Sequence, residues 1–177
     1  MNLHFNNTVM VSDPCYDKDV WCLKVVDDVL PGEYTHRIEI VDAGSWGDRV
    51  DRLIVCHKDY DFEKLSFEVL SNDIGVDSGE AGFFDYDMFC KVTDKEESHD
   101  LFGDECYGLC VVTRNEIAMH TDNQGGVLAS GLGLVCNSGF GDGAYTLYGA
   151  RNDDGKIVAM YIDFEVIIGD EDEDDEE

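Results

Sequence analysis

Residues 145–168 read YTLYGAR-NDDG-KIVAMYIDFEVII, and no other stretch of the chain constrains its fold so tightly. Two apolar-alternating runs flank Asp154-Gly155. Successive side chains of a strand point to opposite faces, and glycine tolerates the positive φ that a tight reversal needs, so the segment predicts a β-hairpin. The same alternation recurs upstream. In LPGEYTHRIEIVD, Pro31-Gly32 reads as a turn, with Tyr34, His36, Ile38 and Ile40 on one face of a strand and Thr35, Arg37 and Glu39 on the other. The loop DAGSWGD and the run RLIVCH then complete an antiparallel hairpin with a longer connection. TVMV, ending at Ser12-Asp13-Pro14, is a further strand, whereas VWCLKVV suits a strand or a short helix.

KLSFEVL leads into SNDIGVDSGEAGFFDYD, where Gly75, Gly79 and Gly82 argue against a helix. DYDMFCKV is expected to form one or two helical turns. Residues 94–107 read as an exposed acidic loop, and GLCVVTR, EIAMHT and GVLASGLGLVC as strands. At 44% hydrophobic and 11% aromatic residues the chain can bury a core. Many short strands at near-even spacing predict a mainly β protein, an antiparallel β-sandwich or partly closed barrel with little helix. Residues 1–169 read as a single β-rich domain and residues 170–177, all acidic, as a disordered tail.

Charge narrows the partners. Forty acids against 12 Lys and Arg give −28, and without the eight tail acids 32 acids still face 12 bases, −20. Residues 59–110 carry 15 acids against Lys64, Lys91 and Lys95, a net of −12. Such a surface repels nucleic-acid phosphate and anionic lipid and suits a basic protein, a cation, or simple solubility. The opening MNLHFNNTVMVSDP lacks the pattern of a secretory signal, and no apolar run reaches the roughly 18 residues of a membrane span. The seven cysteines (Cys15, Cys22, Cys56, Cys90, Cys106, Cys110 and Cys136) read as reduced thiols, which points to a cytoplasmic protein.

SDPCY, LPGEYTHRIEIVD with DRLIVC, IGVDSGEAGFFD and SGFGDGAYTLYGARNDDGKIVAMYIDF follow one another in an order that resembles the bacterial and phage domain-of-unknown-function 4241 family. The resemblance covers about residues 12–165. It implies a β-rich fold and brings no established reaction.

Two loops are candidate sites. Gly141-Asp142-Gly143 with Tyr145 reads structurally as a turn whose aspartate caps backbone amides. Functionally, Asp142 would be one wall of a small polar pocket. No Lys-Ser or Lys-Thr follows, so a phosphate cradle is disfavoured. GVDSGEAGFFDYD offers Asp77, Ser78, Glu80, Asp85 and Asp87, hard oxygens suited to Ca²⁺ or Mg²⁺ but not at the spacing of a twelve-residue calcium loop. If Asp77 and Asp142 met, the two carboxylates would split their pKa values as acid–base catalysis needs. Zinc spacing and nucleophile motifs are missing, so no metal and no cofactor are expected. Cys15 beside Asp13 and Tyr16 reads as a structural thiol, and Trp21 and Trp46 as packing residues without a basic patch for nucleic acid.

The expected function is non-enzymatic binding of a basic protein, with ordered carboxylates imitating nucleic-acid phosphates. One alternative is a small-ligand-binding or hydrolytic enzyme using Asp77, Asp85, Asp142 and Tyr145. The other is a divalent-cation-binding protein.

Overall fold

The computed structural model describes residues 3–16, 18–93, 124–128 and 133–166. The expected acidic loop 94–107, the strands GLCVVTR and EIAMHT, part of GVLASGLGLVC and the tail 170–177 lie outside the described residues.

The hairpin forms where the alternation placed it. Strands β10 (Gly143–Arg151) and β11 (Ile157–Asp163), so numbered in chain order, pair antiparallel from Thr146↔Asp163 to Arg151↔Ile157. Gly155 closes the turn at φ 76°, and Asn152 Oδ1 accepts the amides of Asp154 and Lys156 at 3.1 and 2.9 Å. Tyr145 and Leu147 face inward, while Tyr148 and Tyr161 stack outside with ring centroids 4.6 Å apart.

Before them come β1 (Leu3–Phe5), β2 (Val9–Ser12), β3 (Lys24–Val26), β4 (Gly32–Asp42), β5 (Asp48–His57), β6 (Glu68–Val76), β7 (Glu80–Asp85), β8 (Gly125–Val127) and β9 (Gly133–Asn137). A six-stranded sheet runs β1-β4-β5-β11-β10-β6 and a five-stranded sheet runs β3-β2-β7-β9-β8. All the strand pairings are antiparallel. Their inner faces share one core, with Leu53, Ile74, Leu147 and Ile162 of the first sheet meeting Val9, Val11, Phe83 and Leu134 of the second. This is a β-sandwich of two open sheets, and the barrel alternative falls away.

The helix α1 (Tyr86–Thr93) is two turns long and covers the outer face of the smaller sheet. There Phe89 joins Met10, Phe84, Leu128 and Val135 in a second apolar cluster. The described residues contain no helix long and apolar enough to cross a membrane.

Three local expectations are corrected. Only Lys24–Val26 of VWCLKVV is a strand, and none of it is helical. On β4, His36 is exposed although Tyr34, Ile38 and Ile40 pack on the core. Pro31-Gly32 is not a turn: Gly32 is already in β4, paired with Phe5, and a side chain there would collide with His57.

Candidate functional site

Strand register gathers several connections at one end of the sandwich. Ser12 pairs with Gly82, Glu80 with Asn137, Val76 with Gly143, and Asp42 with Asp48. The segments after β2, between β4 and β5, between β6 and β7, and between β9 and β10 therefore all leave the sheets at this loop end.

Its organising side chain is Asp13, a buried carboxylate directly after β2. Oδ1 accepts the amide of Cys15 at 2.7 Å and the Ser78 hydroxyl at 2.9 Å. Oδ2 accepts the amides of Asp77 and Ser78 at 2.8 and 2.7 Å. A charged acceptor with four short donors is well compensated for its burial, so Asp13 locks the β6–β7 turn to the end of β2. Sequence reasoning passed it over. The available signal was an aspartate before proline at the end of an apolar strand, where an outward acid would be unremarkable.

The candidates from the sequence fall into place around it. Ser78 donates both its amide and its hydroxyl to Asp13, so it is part of the brace. Asp77 is exposed and its Oδ2 accepts the Tyr16 hydroxyl at 2.7 Å. Burial, then this hydrogen bond, pushes the Tyr16 phenol well above its ordinary pKa, so it stays a donor. The Val76↔Gly143 pair sets Asp77 and Asp142 one step beyond paired positions on neighbouring strands, and Ser138 N donates to Gly79 O at 3.0 Å. The two turns thus stand side by side.

Asp142 does not cap its loop. It is exposed and makes no hydrogen bond among the described residues. The loop is held instead by Gly141 N to Ser138 O at 2.7 Å, Ser138 Oγ to Gly141 O at 2.8 Å, and Tyr145. The Tyr145 hydroxyl lies 2.6 Å from Gly141 O and 3.0 Å from Ser138 O, sharing one proton between them. Burial first, with the nearby charge of Asp142 adding to it, raises the Tyr145 pKa and keeps that proton in place. Tyr145→Phe is therefore expected to cost about 1 kcal/mol. Asp142→Asn should change stability by less than about 0.5 kcal/mol. Chemical denaturation of the two variants checks both.

Asp85 is a correction to the four-residue pocket. It lies at the opposite end of β7 from Asp77, buried, with Oδ2 accepting Asn6 N and Nδ2 at 3.1 and 3.0 Å. Oδ1 accepts Met88 N at 3.1 Å, which makes Asp85 the N-cap of α1. Asp77, Asp85, Asp142 and Tyr145 are not brought together. Among the described residues no three His, Cys, Asp or Glu side chains are grouped to hold a metal ion.

Cysteine chemistry is also corrected. Cys15 is disulfide-bonded, so the expectation that all seven cysteines are reduced thiols is corrected. Cys22, Cys56, Cys90 and Cys136 are not in disulfides. Burial, with the Glu80 charge adding to it, pushes the Cys136 thiol far up, which keeps it protonated and unreactive.

The loop end also carries large exposed apolar side chains, two of them the tryptophans that the sequence had assigned to packing. Trp46 is 67% exposed and Phe140 51%, and their rings meet edge-on at 6.2 Å. The Arg49 guanidinium lies 6.0 Å from the Phe140 centroid. At the corner of the same end Trp21, 86% exposed, overhangs a cavity of about 270 Å³ lined by Tyr16, Cys22, Asp73, Asp77 and Gly143 among others. Asp42, Asp48, Asp73, Asp77, Asp142 and Glu165 stand exposed around these rings.

No match to the chain was found among curated proteins or among solved structures. A family model does match, over residues 6–162, and so takes in the five-stranded sheet, the six-stranded sheet apart from β1, the Asp13 brace and the paired turns. The chain belongs to that family, described as a protein of unknown function, DUF4241.

Proposed function

We propose that the protein is a non-catalytic binding module that docks a cationic protein surface with the loop end of its sandwich. The observation that carries the reading is the exposure of Trp21, Trp46 and Phe140 on connections at that one end, amid acids. Tryptophan and other aromatics contribute most where they enter a partner's surface and lose water, and the surrounding acids would select basic partners and speed encounter. A nucleic-acid-binding protein presents such a surface, and the exposed carboxylates would then stand where phosphates stand.

The test starts with affinity capture from host lysate and continues with the captured protein in purified form. Binding is expected to weaken at least tenfold in the Trp46→Ala/Phe140→Ala double variant. It should also weaken at least tenfold between about 0.05 and about 0.5 M salt, where the Debye length shrinks from roughly 14 to roughly 4 Å. A partner indifferent to both changes would overturn the reading.

A further inference from the structure

An open sheet has edges, and an edge strand offers unpaired amides and carbonyls to any strand that meets it. Among the described residues the sandwich has four edge strands, β1 and β6 in the larger sheet and β3 and β8 in the smaller. β1, β3 and β8 are three residues long, which is itself a protection, but β6 has nine. Its first residues continue the run KLSFEVL, and Val69, β-branched and suited to a strand, is 49% exposed. Among the described edges β6 is therefore the one with the length to accept a further strand.

The local construction of β6 works against that. Its register with β10 shifts twice, between Tyr145 and Leu147 and between Leu147 and Tyr148, and each shift leaves one residue of β6 in excess. Such bulges twist an edge away from the straight template a second strand needs. Amides along it are also occupied. Asp73, which has no partner on β10, donates its amide to Ser71 Oγ at 3.3 Å, and Gly75 donates to Cys22 O at 2.9 Å. The second bond brings the segment before β3 so close that a Cβ at Gly75 would lie 2.6 Å from Cys22 Sγ. Asp73 itself is exposed, with Asp77 exposed just past the end of the strand, so two copies laid edge to edge would bring acids together.

We infer that Ser71 and Asp73 hold β6 closed against antiparallel pairing with β6 of a second copy of this chain. The Ser71 hydroxyl occupies an amide that would otherwise be free to pair, and the Asp73 carboxylate supplies the repelling charge. The Cys22 carbonyl covers the end of the edge next to the loops. Two identical edges that meet antiparallel are related by a two-fold axis and satisfy one another, so opening this edge yields a closed dimer and not a fibre. The inference goes beyond the docking reading and does not rest on it.

Sedimentation equilibrium of the full chain tests it. The Ser71→Val/Asp73→Val double variant is expected to reach twice the wild-type mass by about 100 μM and to return to the wild-type mass on dilution to about 1 μM. Adding Val69→Lys, a charge on the same edge, should restore the wild-type mass throughout. Raising salt to about 0.5 M should strengthen the dimer, because it screens acid against acid. That is the opposite sign from docking of a cationic partner, which salt weakens.

Ser71→Ala removes only the hydroxyl and carries the same test with less risk to the fold. It should gain mass over wild type in the same direction, at roughly tenfold higher concentration. If both variants keep the wild-type mass up to about 1 mM, the inference is overturned. A dimer that survives Val69→Lys also overturns it, since such a dimer would not be built on this edge.

Discussion

Asp13→Ala is expected to destabilise the protein by about 3–5 kcal/mol, lowering Tm by roughly 10 °C. The substitution leaves the amides of Cys15, Asp77 and Ser78 without their acceptor at a buried position, and removes the partner of the Ser78 hydroxyl. Each of these part-buried donors, left without its acceptor, costs more than the net worth of a made hydrogen bond. Asp13→Asn is the sharper variant. It keeps the shape of the side chain but turns one oxygen into an N–H donor, and both oxygens here face two donors each. Whichever way the amide flips, donor meets donor, so Asn should fall within about 1 kcal/mol of Ala. Ser78→Ala loses one of the four bonds and should cost only about 1 kcal/mol. Urea denaturation of the three variants checks the ranking, and an Asp13→Ala loss below about 1 kcal/mol would show that Asp13 does not hold the turn.

Gly32→Ala is expected to cost about 3 kcal/mol or more. Its Cβ would lie 2.5 Å from His57 Nε2 and 3.2 Å from Cδ2, and the backbone sits at φ 149°. The imidazole has little room to retreat. It meets the rings of Tyr34 and Tyr60 edge-on at 5.3 and 5.9 Å, and its Nδ1 accepts the Asp59 amide at 3.3 Å. The collision and the backbone strain can be separated by a double-mutant cycle. Gly32→Ala in a His57→Ala background should lose only the strain component, giving a favourable coupling of at least about 1 kcal/mol. Purely additive losses would place the whole cost in the backbone.

These two positions also mark where sequence reasoning succeeds and stops. Alternation is a local property, so β4, β5, β10 and β11 were legible, as were the two-turn helix after β7 and the two-sheet class that their spacing implied. Gly32 was legible as a glycine with a reason but not with the right one. Beside Pro31 it suggests a reversal, whereas the need comes from a ring 25 residues further along the chain. Asp13 is harder still, since three of its four donors lie 64 or 65 residues away and nothing near it distinguishes a buried acceptor from a solvated acid. Asp85 failed for the same reason: its helix cap was readable in retrospect, its tie to Asn6 was not. The adjacency of the Asp77 and Asp142 turns depends on the register of β6 against β10, which one sequence does not encode visibly. Trp21 and Trp46 were misread because indoles usually pack inward, and only the placement of their loops shows them uncovered.

The order of the larger sheet has a temporal consequence. Two of its four interior members, β10 and β11, are the last strands of the described chain, inserted between β5 and β6. During synthesis the ribosome delivers this wedge after every flanking strand, so the nascent sheet waits with two open edges and an unfilled middle. Pairings this distant close slowly, on the millisecond-to-second scale of β-rich domains, and leave an aggregation-exposed interval. A chain arrested before residue 143 therefore lacks the two strands that join β5 to β6, the keystone of its own sheet.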